Sequence, residues 1–86
     1  MVSSNDISVL ISINKLAEGD VSKSIRGTQI IKESELERMA LFNSLKSLIN
    51  QGFLEERLTI NNILSTGANT AVSITSDGVT LAKKYS

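Results

Sequence analysis

The sequence predicts an α+β domain in which helices fill the first half and a two-stranded β-hairpin and a closing helix fill the second. Three observations predict it. Apolar residues recur at helical intervals over residues 7–17 and again over 41–49. From Phe53 the pattern turns to near alternation, and β-branched residues return in "TAVSIT" after a run of turn formers. The third is size: 86 residues with 41% apolar content suffice for one small core, so residues 1–86 are read as a single domain.

Asp6 is placed to cap a first helix whose apolar positions are Ile7, Leu10, Ile11, Ile13, Leu16 and Ala17, and Gly19 marks its end. Residues 20–28, "DVSKSIRGT", read as a loop with at most one helical turn, made locally basic by Lys23 and Arg26. Good helix formers follow in "ESELERM". At about 100° per residue, one continuous helix over 34–51 would set Leu41, Phe42, Leu45, Leu48 and Ile49 on one side and Leu36 and Met39 on the other. That mismatch predicts a break: a helix over about Gln29 to Glu37, a tight turn at Arg38 to Ala40, and a second helix over about Leu41 to Gln51.

Gly52 ends that helix and launches a hairpin over residues 53–75, its loop near Thr66 to Asn69. Leu54, Glu56, Leu58 and Ile60 fall on one side, with Phe53, Glu55, Arg57 and Thr59 on the other. The closing helix, "TSDGVTLAKKYS", is capped by Thr75 or Ser76 and packs Val79, Ala82 and Tyr85 inward, with Gly78 in the turn that leads into it. Lys83 and Lys84 meet the negative end of its dipole.

Composition narrows the chemistry. With no cysteine and no histidine there is no disulfide, thiol nucleophile, zinc site of the usual ligands or histidine base. The nine acids stand as singles or beside bases, so neither an enzyme nor a bound cofactor is expected. The start "MVSSNDISVLISINK" has no basic segment and its apolar run is broken by serines, so no signal peptide or membrane span is expected and the setting is read as cytoplasmic. Nine Lys and Arg balance nine Asp and Glu, so any pull on nucleic acid comes from how charge is distributed. Phe42, Phe53 and Tyr85 are too few and scattered to make a stacking platform for single strands.

Two segments carry a family resemblance. "SLKSLINQGFLEE" resembles the end of the recognition helix and the entry to the wing in winged helix-turn-helix DNA-binding domains. "VSITSDGVTLAKKY" is similar to the return strand and following helix of bacterial and archaeal winged-helix regulators. Together they span about residues 41–86, and the first helix fits in position. The resemblance implies three N-terminal helices, a two-stranded wing and a C-terminal helix. It further implies a transcriptional regulator that binds double-stranded DNA as a homodimer, and the small size points to a prokaryotic, phage or plasmid setting. The helix from Leu41 would then enter successive major grooves, and the first and last helices would make the dimer contact. Residues 20–40 depart from the pattern, lacking the expected small residue in the first helix of the pair and the glycine at its turn. The wing tip "STGANT" carries no Arg or Lys, so reading falls to the helix.

On that helix Asn43, Ser44, Lys46, Ser47 and Asn50 are the candidate DNA contacts, in competition with an ordinary solvated face. Asn pairs bidentately with adenine, Lys reaches guanine or phosphate, and serine permits close approach. Arg38, at the start of the helix, is placed for phosphate. Lys23, Arg26 and Lys32 could flank the duplex backbone or simply sit in solvent. Glu33, Glu35 and Glu37 read as a salt-bridged exposed face. Those glutamates, the zero net charge and the uncharged wing tip also support a rival, a winged-helix module that binds a protein partner and no DNA.

Overall fold

A computed structural model describes the chain over residues 2–59 and 70–85. Its elements are α1 (Ser4–Ala17), β1 (Ile25–Arg26), α2 (Gly27–Ser34), α3 (Arg38–Asn50), β2 (Leu54–Thr59), β3 (Thr70–Ile74) and α4 (Ser76–Tyr85). The order of helices, hairpin and closing helix is the one expected. Helix α1 is the hub: it buries Val9, Leu10, Ile13 and Ala17 and packs against α2, α3, α4 and β3.

Helix α1 is capped by Ser3 instead of Asp6. The Ser3 hydroxyl accepts from the Asp6 amide at 3.1 Å, while the Ser3 amide donates to the Asp6 carboxylate at 3.3 Å. This reciprocal box satisfies two of the amides that a helix start leaves without partners. At the other end, Glu18 (φ 56°) and Gly19 (φ 76°) turn left-handed. The Gly19 amide returns to the Asn14 carbonyl at 3.3 Å.

The segment expected as a loop holds a short strand, β1, whose Ile25 is fully buried and pairs with Val72, with Arg26 opposite Ala71. The sheet is antiparallel in the order β1-β3-β2. Two residues show no alternation for a sequence to display; they become a strand because β3 offers an open edge. Strands β2 and β3 run in register from Leu54 opposite Ile74 to Thr59 opposite Thr70, with a shift between Glu56 and Leu58. A bulge of this kind interrupts the two-residue period, and Glu55, Glu56 and Arg57 are all exposed. The expected loop at Thr66 to Asn69 lies outside the described residues.

The helix-turn-helix is present with its break earlier than expected. The turn is residues 35–37, so Arg38 is the first residue of α3 and not part of the turn. Glu35 takes the left-handed conformation (φ 60°) that a glycine adopts more cheaply, and its amide closes on the Ile31 carbonyl at 3.2 Å. Leu36 packs against the core from the turn, whereas Met39 is 65% exposed. Only Leu36, therefore, needed the break to become partly buried.

Gly52 (φ 84°) ends the α3 turn as expected, and the Phe53 amide returns to the Leu48 carbonyl at 2.9 Å. Thr75 then links both ends of the hairpin. Its hydroxyl donates to the Gly52 carbonyl at 2.8 Å and caps α4 by accepting from the Gly78 amide at 3.0 Å. Gly78 lies inside the first turn of α4, where a Cβ would collide with the Phe53 carbonyl and the Ile74 side chain. Ala82 is buried and Val79 half-buried as expected, but Tyr85 is 50% exposed, with the Lys84 ammonium 5.8 Å from its ring centre. A helix-turn-helix followed by a hairpin and packed on a small sheet is the winged helix-turn-helix fold.

Candidate nucleic-acid interface

Helix α3 has two sides that its sequence interleaves. Leu41, Ser44, Leu45 and Leu48 are buried, while Met39, Asn43, Lys46 and Asn50 are exposed. At about 100° per residue the exposed four fall within about 60° of one another, opposite the buried set. They form a polar stripe three turns long with one apolar member. Arg38 is also exposed, about a quarter turn to the side at the helix start.

The two serines among the predicted contacts belong to the other side. Ser44 is 3% exposed, and the Ser47 hydroxyl, half-buried, donates to the Asp6 carboxylate at 3.0 Å. Asp6 is itself only 5% exposed. Burial pushes its pKa upward, but hydrogen bonds from the Ser44 hydroxyl, the Ser3 amide and the Ser47 and Ser3 hydroxyls outweigh that and hold it below its ordinary value. The Gln51 amide group donates to the Ser47 hydroxyl at 2.9 Å. Ser47 thus fastens α3 to the first turn of α1, so a carboxylate occupies one hydroxyl that the sequence offers as a groove contact, and burial withdraws the other, Ser44.

The flanking bases occupy three successive segments. Lys23 sits on the turn after α1, Arg26 on β1 at the residue that caps α2, and Lys32 in the last turn of α2; all three are exposed. The Lys23 amide donates to the Asp20 carbonyl at 3.2 Å, and hydrogen bonds from the Ser22 hydroxyl and amide lower the Asp20 pKa. Of the three glutamates, Glu33 pairs with Lys15 on α1 at 2.9 Å. Glu35 and Glu37 remain exposed beside Arg38.

Sequence reasoning passed over two residues. Met39 enters the sequence pattern only through the break, although its place on the wheel aligns it with Asn43, Lys46 and Asn50. Arg57 puts a base on the wing strand, where its Nε donates to the Ser73 hydroxyl at 2.9 Å and its terminal nitrogen lies 3.8 Å from Glu55. Among the described residues no group of three acids, cysteines or histidines could hold a metal ion, and no helix is long and apolar enough to cross a membrane.

No protein-family model matches the chain, and neither does any curated protein. Solved structures do match. The reduced form of MarR from E. coli is 22% identical with a TM-score of 0.72, over 96% of this chain and 54% of that one. A mutant of the same protein complexed with operator DNA is 20% identical with a TM-score of 0.70, over 96% and 52%. BpsR from Bordetella bronchiseptica is 12% identical with a TM-score of 0.72, over 96% and 55%. The chain spans about half the length of these structures. At such identities the likeness establishes the winged-helix fold.

Proposed function

We propose that this chain binds double-stranded DNA and acts in transcription regulation, with α3 as the helix that enters the major groove. The observation that carries this reading is the stripe of Asn43, Lys46 and Asn50 on the exposed side of the second helix of a helix-turn-helix. Its inner side is fixed to α1 through Asp6. Asn43 and Asn50 offer donor and acceptor together, the pattern that pairs with adenine N6 and N7, and Lys46 reaches guanine or a phosphate. Arg38 stands where the unpaired amides of a helix start already favour an anion, and Lys23, Arg26 and Lys32 add backbone contacts beside it. The fold's likeness to a MarR mutant complexed with operator DNA supports DNA as the partner. A homodimer on half-sites about one helical turn apart would place two copies of α3 in successive grooves, in the cytoplasm.

The exposed Glu35 and Glu37 beside Arg38, in a chain of zero net charge, favour a second reading: a winged-helix module that docks on a protein. A titration with a random-sequence duplex at two salt concentrations separates the two. DNA binding predicts that affinity falls as salt rises, because bound bases release counterions. Lys46→Ala weakens binding on every sequence, and Asn43→Ala weakens it most on the preferred one. No binding even at low ionic strength would sink the DNA reading and leave the protein module.

A further inference from the structure

We infer that Met39 is a specificity-determining residue that reads the 5-methyl group of a thymine in the major groove; the inference rests on the DNA-binding reading above. Three large apolar side chains are exposed among the described residues: Val21 at 44%, Tyr85 at 50% and Met39 at 65%. Val21 lies in the turn after α1, and the Lys84 ammonium lies over the Tyr85 ring. Met39 lies on α3, and an isolated exposed methionine would be unremarkable. Its position is what matters. It is the second residue of α3, and the N-terminal residues of a recognition helix are those that meet base edges. It falls within about 40° of Asn43, Lys46 and Asn50 on the helix wheel, so whatever these three approach, Met39 approaches too.

The major groove presents one apolar group, the thymine methyl. An unbranched, polarisable thioether chain with free rotation suits contact with it. Asn43, one turn further along, carries the amide that pairs with adenine. Both features belong to A·T pairs, so the first two turns of α3 would select a thymine and an adenine at neighbouring positions, with Lys46 beyond them. Local folding does not require methionine here, since any good helix former would serve at an exposed position.

The test begins with duplexes selected by the wild-type protein from a random library. In a selected duplex each thymine is replaced in turn by uracil, which removes only the methyl group. We expect one replacement to weaken wild-type binding about fourfold, the value of one buried methyl. Met39→Ala should bind the thymine duplex more weakly and show no further loss at that same uracil. Helical content and melting temperature of the variant should match the wild type, because the side chain is 65% exposed and alanine is a good helix former. If no uracil replacement weakens the wild type, or if Met39→Ala still loses fourfold at the sensitive position, Met39 does not read a methyl while DNA binding stands. If selection enriches no duplex, the DNA reading fails and this inference with it.

Discussion

The two sides of α3 differ in use although they are drawn from the same kind of residue. Asn43 and Ser44 are sequence neighbours, as are Lys46 and Ser47, and all four are polar. Asn43 and Lys46 are exposed, whereas Ser44 is buried and Ser47 donates to Asp6. A serine fits beneath the helix because its hydroxyl is small and its hydrogen bond can be met by a carboxylate already held in place. An asparagine or lysine there would bring a larger polar group into a closed space. The contrast teaches that polarity alone does not mark a binding face; the angle around the helix and the partner across from it decide which polar residues are structural.

Substitutions on the inner side should act on folding, and those on the outer side on recognition. The largest effect is expected from Leu48→Ala. Leu48 is fully buried in α3, and its truncation should cost about 2–5 kcal/mol in chemical denaturation. Next comes Asp6→Ala, which leaves the Ser47 hydroxyl and the Ser3 amide without their acceptor and should cost about 1–3 kcal/mol. Equal stability of that variant and the wild type would break the structural half of the comparison.

Acid provides a finer probe of the same contact. The folded Asp6 pKa lies below its ordinary value, so the ionised form is the one the fold favours. Its contribution is present at neutral pH, persists down to the ordinary aspartate pKa of about 3.9, and is lost as pH falls through the lower folded value. Wild type and Asp6→Ala should therefore converge in stability in strong acid, as followed by denaturation at a series of pH values. On the outer side, Asn43→Ala should leave stability unchanged within about 0.5 kcal/mol. In competition titrations against a single-base variant of the preferred duplex, it should lose about 1–3 kcal/mol of discrimination. A stability loss as large as that of Asp6→Ala would place Asn43 with the serines.

Much of this arrangement could be read from the sequence because it is local. The spacing of Leu41, Leu45 and Leu48 defined the core side of α3, Gly52 marked its end, and the change of period at Phe53 announced the wing. What escaped was set by contacts between distant residues. Asp6 and Ser47 are 41 residues apart, and no pattern within α3 names its partner on α1. Strand β1 exists only because β3 lies beside it, and the bulge near Arg57 is a property of the pairing. The start of α3 was placed three residues late because a left-handed glutamate, Glu35, makes a turn for which a glycine was sought. For Ser44 the signal was available: its wheel angle lies nearer to Leu41 and Leu48 than to Asn43.

The division of α3 into a reading side and a fastening side is tested most directly by following side-chain amide resonances while a selected duplex is added at low salt. The amides of Asn43 and Asn50 are expected to shift progressively to saturation, while that of Gln51, bonded to Ser47 beside Asp6, holds its position. Stationary Asn43 and Asn50 signals in a complex that forms, or a Gln51 signal that moves with them to the same extent, would contradict it.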